Sequence, residues 1–281
     1  MNTLFLVAAL AVLGAIFYAF FLEPYRVRVS GISIHIQDLP EQLDGFTICH
    51  LSDTHTGTYG RLERTLEAIL AGIDADLCVI TGDLIRSHEG IETLKRILGA
   101  FKPAFGLFAV PGNGDYRSGV PISQLAEELE QVGIHLLVNN CENLLINQSK
   151  WYIIGTDDPF LGLDDLELAV GGMAQGGFRL LLAHSPDILF KVGNREADLI
   201  LAGHTHGGQI RLPLIGPLWL HCRYCLGVSG GYFGPEELSK LSGQDMRGVH
   251  MYVSRGLGGS GVRARFMCPP EVALVTLRRR F

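Results

Sequence analysis

The feature that most constrains this chain is a repeated pattern in which a short apolar run ends in residues able to hold a metal. Residues 46–52 lead into Asp53-Thr54-His55, residues 77–81 into Gly82-Asp83, and residues 105–110 into Gly112-Asn113-Gly114-Asp115. Residues 179–183 lead into His184, and residues 198–202 into Gly203-His204-Thr205-His206-Gly207-Gly208. Runs this short and this rich in β-branched residues read as buried strands. In α/β sheets the loops beyond the carboxyl ends of the strands converge, so these polar groups are expected to share one site. A single Asp after a strand is ordinarily a turn or helix-cap residue, and a single His is ordinarily solvated or in the core. Five such groups, each at the end of an apolar strand, are not explained that way.

Between the strands the apolar period changes to that of helices. Residues 61–73 place Leu62, Leu66, Ile69, Leu70 and Ile73 on one face, and residues 89–101 do the same with Ile91, Leu94, Ile97 and Leu98. A further helix is expected at 123–132. The second half is strand-rich, with runs at 144–147, 151–154, 249–254 and 271–277. This order predicts an α/β fold, a four-layer α-β-β-α sandwich of two mixed sheets, with an N-terminal transmembrane helix. There is no internal repeat and no low-complexity tract. The expected organisation is an anchor at 1–25, a link at 26–44 and one domain at 45–281.

The anchor reading rests on residues 4–22, which contain no charged side chain. As a helix they would span roughly 28 Å, close to the hydrocarbon thickness of a bilayer. A cleaved signal peptide or a buried core helix is the alternative. Against cleavage, no Lys or Arg precedes the run, and it ends in Phe20-Phe21-Leu22-Glu23-Pro24, which has no small-residue cleavage site. Arg26 and Arg28 follow the run, so the positive-inside rule puts the body on the cytoplasmic side of the inner membrane as a single-pass protein. No twin-arginine pair directs folded export. The formal net charge of -6 excludes the broad basic surface that nucleic-acid binding uses. Nothing in the sequence points to an obligate protein partner. Cys49 and Cys78 read as core. Cys222 and Cys225 form one C-x-x-C beside His221, for which a structural metal, a local disulfide and an ordinary loop all stay open.

Carboxylate, amide and imidazole are borderline-to-hard ligands suited to Mn²⁺, Fe, Zn²⁺ or Mg²⁺. Glycines beside them allow sharp turns and close approach of a phosphate. Seven ligands sharing one carboxylate can hold two ions about 3.5–4 Å apart, the spacing used for in-line attack on phosphorus.

These motifs resemble those of the calcineurin-like metallophosphoesterases: D-x-H, G-D, G-N-H-[DE], a lone His and G-H-x-H. The resemblance covers about residues 45–277. It implies that Asp53, His55 and His206 hold one metal, that Asn113, His184 and His204 hold the other, and that Asp83 bridges them. Two divalent ions, Mn²⁺ foremost with Fe or Zn²⁺ as alternatives, would then activate a water to attack phosphorus. Asp83 and Asn113 would also act in catalysis. One departure stands out: the family usually has His after the Asn, and this chain has Gly114. A phosphodiester or pyrophosphate with a good leaving group depends least on the missing acid. Tyr116 and Arg117, just downstream, are candidate donors.

The stretches 181–187, 203–213, 252–258 and 268–272 are similar to a membrane-associated branch of the family. That branch includes an alternative UDP-2,3-diacylglucosamine hydrolase of lipid A biosynthesis. Arg255, between a strand and a glycine-rich turn, would suit a phosphate contact, or it is an ordinary surface arginine. Residues 214–233 carry Ile215, Leu218, Trp219, Leu220, Tyr224, Tyr232 and Phe233 directly after G-H-x-H. They would receive an acyl chain, touch the membrane, or simply pack on the core. The leading expectation is a membrane hydrolase acting on a lipid-linked phosphate or nucleotide-diphospho substrate, with UDP-2,3-diacylglucosamine, cleaved to lipid X and UMP, the foremost candidate. A phosphodiesterase for a soluble substrate is the alternative within enzymes. A non-catalytic, metal-bound scaffold is the alternative outside them.

Overall fold

The computed structural model describes residues 3–280 apart from 175, 195 and 226. Residues 1, 2 and 281, at the ends of the expected anchor and domain, lie outside the described residues, as does 226 within the apolar segment.

The chain opens with helix α1 (Thr3–Phe21), in which Ala19 is the one buried residue. The span Thr3–Tyr25, with mean hydropathy 2.6, is long and apolar enough to cross a membrane by length and composition. Strand β1 (Arg28–Gln37) follows, then β2 (Thr47–Leu51), α2 (Arg61–Leu70), β3 (Leu77–Thr81), α3 (His88–Gly99) and β4 (Leu107–Val110). Next come α4 (Asn113–Arg117), α5 (Ile122–Glu130), β5 (Ile134–Leu136), β6 (Asn140–Ile146), β7 (Ser149–Gly155) and α6 (Leu166–Val170). The last third holds β8 (Phe178–Leu182), β9 (Leu199–Ala202), a two-stranded hairpin of β10 (Arg211–Leu212) and β11 (Gly216–Pro217), and then β12 (Gly231–Phe233). Helix α7 (Pro235–Ser242), β13 (His250–Val253) and β14 (Glu271–Arg280) complete the chain.

Two six-stranded mixed sheets result, ordered β1-β14-β2-β3-β4-β5 and β12-β13-β9-β8-β7-β6. Strands β2 to β5 run parallel, as do β7, β8, β9 and β13. Parallel strands need covered faces, and the burial meets that need. Ile48, Val79 and Phe108 of the first sheet pack against Ile153, Leu180 and Leu201 of the second. On the outer face of the first sheet lie Leu66 and Leu70 of α2, Ile91, Leu94 and Ile97 of α3, and Leu125 and Leu129 of α5. On the outer face of the second lie Ala169 of α6, Leu238 of α7 and Ile188. Three apolar interiors separate four layers, α-β-β-α.

The expected strands and helices fall where the periodicity placed them. The stretch 26–44 departs from its reading as a plain link: it carries β1, which pairs parallel with β14 along its whole length, Arg28 against Glu271 through Gln37 against Arg280. Its sequence alternates, with Ile34 and Ile36 buried between exposed neighbours, a period-2 pattern of a half-buried edge strand.

Candidate metal centre

The parallel strands of both sheets deliver their following loops to one place. Asp53 and His55 follow β2, Asp83 follows β3, Asn113 opens α4 after β4, His184 follows β8, and His204 and His206 follow β9. All seven are buried. Five of them, Asp53, His55, Asp83, His204 and His206, have positive φ between 45° and 68°. Non-glycine residues rarely adopt that region, and each such residue costs on the order of 1–3 kcal/mol. The packed core around the loops holds the strain, and the result is that side chains from separate strands point at a common centre.

The distances define the arrangement. His55 Nε2 lies 3.2 Å from Asp83 Oδ2, and His184 Nε2 lies 3.4 Å from Asp83 Oδ1. His206 Nε2 is 3.3 Å from Asp53 Oδ1 and 3.3 Å from His55 Nε2. His184 Nε2 is also 3.2 Å from Asn113 Oδ1 and 2.9 Å from His204 Nδ1. Asp53, His55, Asp83 and His206 each offer a ligand atom within 4.8 Å of one another.

Outer partners orient these groups. His184 Nδ1 faces the Thr81 carbonyl at 2.9 Å, which turns Nε2 toward the centre. Ser52 Oγ donates to Asp53 Oδ2 at 2.6 Å, and the His204 N–H donates to the same oxygen at 3.0 Å. The Gly114 N–H donates to Asp83 Oδ1. Asp115 accepts from the Gly112 and Ile85 N–H groups at 2.8 and 2.9 Å, tying the loop after β4 to the loop after β3.

The fit to cations can be judged from unsatisfied atoms. Buried Asp53 Oδ1, His204 Nε2 and His206 Nδ1 have no hydrogen-bond partner, an arrangement that native structures rarely tolerate without an ion or water. Several imidazole nitrogens approach one another instead of a donor, as lone pairs do around an ion. Burial is the largest influence on every group here. It pushes Asp53 up to about 6 and lowers His55 to about 4. It takes His204 and His206 well below the ordinary histidine value. At Asp83 burial is outweighed by His184, His55 and the Gly114 N–H, and the carboxyl is lowered. At His184 burial is outweighed by Asp83, Asp53 and Asp158, and the imidazole is raised to about 9. Desolvating unpaired carboxylates costs several kcal/mol each. A divalent cation would offset that cost and displace the His184 proton.

Around this centre lie the other residues singled out by sequence. Arg117, at the end of α4, lines a cavity of about 230 Å³ with His55, Arg86, Gly114 and Ser260. The Tyr116 hydroxyl is committed to Asp157, donating at 2.6 and 2.8 Å to its two carboxylate oxygens. Arg255 lies behind the loop after β9: a Cβ built on Gly207 would stand 3.1 Å from its Cγ, and its N–H donates to Glu271 at 3.1 Å. Cys222 and Cys225 are free thiols. Their loop is held instead by buried Asp187, which accepts from the N–H groups of Arg223, Tyr224 and Cys225 at 2.9 to 3.0 Å.

Two neighbours of the centre are not placed there by the sequence reading, which notes His221 only beside the C-x-x-C and does not single out Arg86. The His221 ring centroid lies 6.3 Å from that of His204. Arg86 donates through Nε to the His55 carbonyl at 3.1 Å. Neither stands in a strand-end motif, although Arg86 is three residues beyond Asp83.

A family model described as calcineurin-like phosphoesterase matches residues 46–208, more than half of the chain and the whole run of strand-end motifs. This chain belongs to the calcineurin-like phosphoesterases. It is similar to the uncharacterized metallophosphoesterase YkuE of Bacillus subtilis, at 32% identity over 96% of this chain and 92% of the relative. It is also similar to phosphodiesterase YaeI of Escherichia coli, at 30% identity over 83% and 82% of the two chains. UDP-2,3-diacylglucosamine pyrophosphatase LpxG of Chlamydia trachomatis is 26% identical over 90% of each chain. Within this calcineurin-like family the chain is a metal-dependent phosphoester hydrolase, and its buried Asp and His cluster is a site for divalent metal ions.

Proposed function

We propose that the chain is a two-metal hydrolase of a membrane lipid-linked phosphoester or pyrophosphate, with UDP-2,3-diacylglucosamine as the foremost candidate substrate. The observation that carries the two-metal part is the position of Asp83. Its two oxygens face two different imidazoles, His55 at 3.2 Å and His184 at 3.4 Å. This supports a reading in which one carboxylate bridges two ligand groups, Asp53, His55 and His206 on one side and Asn113, His184 and His204 on the other. Mn²⁺ is the foremost ion for this oxygen and nitrogen set, with Fe or Zn²⁺ as alternatives.

Bound divalent ions would supply Lewis acidity toward the phosphate oxygens and an acidified water. The chain's own residues do the rest. The Gly114 N–H and the paired imidazoles keep Asp83 ionised. Ser52 and the His204 N–H orient Asp53. Arg117 and Arg86 line the cavity over Gly114 and place positive charge where a phosphoryl group's non-bridging oxygens would sit. With no imidazole at Gly114, a phosphate-monoester leaving group, which departs from a pyrophosphate as a stable anion, suits this site better than an alkoxide.

The membrane part rests on three features: the apolar span Thr3–Tyr25, the exposed apolar hairpin tip of Leu214 and Ile215, and the substrate in LpxG's name. Arg26 and Arg28 support a cytoplasmic-facing domain on the inner membrane. The anchor then occupies 1–25 and the catalytic domain 45–281, with β1 of the intervening stretch added to its sheet.

The test is metal-dependent turnover by the full chain in detergent. UDP-2,3-diacylglucosamine and bis-p-nitrophenyl phosphate are offered with Mn²⁺, beside Asp83→Ala. Release of UMP, lost in the variant, is the expected result. Cleavage of the artificial diester alone would remove the lipid and favour a soluble phosphodiester. No cleavage of either, with metal bound, would favour the scaffold reading.

A further inference from the structure

A cavity of about 190 Å³ opens at the foot of α1. Pro24 and Tyr25, where the chain leaves the apolar helix, form one wall, and Thr54 and His55 form another. Arg61, Arg86, Arg263 and Arg265 also line it, against a single carboxylate, Glu63. Among the described residues none of these four arginines is within ion-pair distance of a carboxylate, unlike Arg96, Arg179, Arg247 and Arg278.

Each guanidinium is held or left open in a way that keeps its charge in play. Arg265 is fully buried and gives its donors to the carbonyls of Arg255, Gly256, Gly258 and Cys268. Arg86 is held by the His55 and Gly259 carbonyls. Backbone carbonyls satisfy hydrogen bonds but neutralise no charge. Arg61 lies 4.7 Å over the Tyr25 ring, so it is stacked but unneutralised. Arg263 is exposed. Glu63 accepts from the Gly60 N–H at 3.0 Å at the start of α2. Four guanidinium groups around one concave space, against the one carboxylate of Glu63, leave the lining with an excess of positive charge that favours an anionic ligand.

The position selects the ligand further. The cavity stands between the exit of the apolar span and a residue of the metal centre, at the level where a bilayer would present its headgroups if α1 crosses it. We propose that this cavity binds the phosphate headgroup of an anionic membrane lipid. The proposal rests on the membrane reading of α1 but not on which substrate the metal centre cleaves. Such a lipid would hold the catalytic domain against the membrane surface and bridge α2, the 257–265 segment and the foot of α1.

Calorimetric titration of the full chain in a non-ionic detergent tests this. The probes are dihexanoylphosphatidic acid, dihexanoylphosphatidylcholine and inorganic phosphate. The variant is Arg61→Glu with Arg263→Glu, both at exposed positions, with circular dichroism to check folding. Arg263→Gln serves if the double variant does not fold. Phosphatidic acid is expected to bind at least about tenfold more tightly than phosphatidylcholine, and at least about tenfold more weakly in the double variant. Equal binding of the anionic and zwitterionic lipids, or unchanged binding in the variants, would overturn the site. Inorganic phosphate binding as tightly as phosphatidic acid would overturn the lipid assignment. The outcome is independent of catalysis: a chain that turns over no diester but shows this binding keeps the site and loses the hydrolase reading.

Discussion

The loops that carry the metal-capable residues and the segment 209–233 both follow strands of the same fold, yet they solve opposite problems. In the first, charged side chains are buried: Asp53 and His184 have no exposure at all. In the second, apolar side chains are exposed, with Leu214 at 108%, Ile215 at 71% and Trp219 at 70% of full accessibility. Burying charge demands partners, and the ligand loops supply them in hydrogen bonds from Ser52, Gly114 and the His204 N–H. Exposing apolar surface demands a cover outside the chain. The hairpin base supports one direction for it, since the Arg211 N–H donates to the Phe266 carbonyl at 2.9 Å and the Phe266 ring meets Tyr18 of α1, 6.2 Å between centroids. The lesson is that both regions break the usual rule of inside and outside: the first breach marks a site for divalent metal ions, and the second is the apolar surface on which the membrane proposal rests.

The comparison can be broken most sharply at Gly114. A Cβ there would stand 2.7 Å from Asp83 Oδ1, so Gly114→His is expected to displace Asp83 and abolish most turnover of bis-p-nitrophenyl phosphate rather than improve it. A gain in turnover would show that the buried loops are looser than their packing implies. Ser52→Ala comes next. It removes the donor that orients Asp53, and a loss of roughly 10–100-fold in metal affinity is expected, read by metal titration. No loss would mean that the His204 N–H alone orients the carboxylate.

A third effect is pH-dependent. His184 is raised to about 9 from an ordinary value of 6.5, so in metal-free protein the native state holds a proton that the unfolded state releases. That contribution is complete below about pH 6.5 and is lost as pH rises toward 9. Thermal melts of metal-free protein should therefore shift downward across this window. Added Mn²⁺ should bind more tightly across the same window, since it no longer competes with the proton. A flat melting profile without metal would remove the His184–Asp83 pairing from the account. The smallest effect belongs to the other region. Leu214→Ser with Ile215→Ser should change unfolding free energy in detergent by no more than ~0.5 kcal/mol. A larger loss would mean that the hairpin tip packs on the body after all.

Much of this was legible in the sequence because it is local. The period of Leu62, Leu66 and Leu70 marks α2, the apolar run before Asp83 marks β3, and the type of each ligand residue is plain in the chain. Strand β1 went unread, although Ile32, Ile34 and Ile36 alternate, because an edge strand beside a membrane-length helix looks like a connection until its partner is known. That partner, β14, lies at the other end of the chain. The C-x-x-C drew attention for its spacing, yet what organises that loop is Asp187, more than thirty residues away.

The sequence by itself determined the layered α/β order, the set of residues able to bind metal, and the presence of one apolar span, since periodicity and ligand chemistry belong to short stretches of chain. Only the tertiary structure decided that the two oxygens of Asp83 face His55 and His184, that five of the seven metal-capable residues sit in strained left-handed backbone, and that Arg61, Arg86, Arg263 and Arg265 line one cavity. Those facts are distances between residues remote in sequence, and such quantities come into being only when packing brings the strands' ends together.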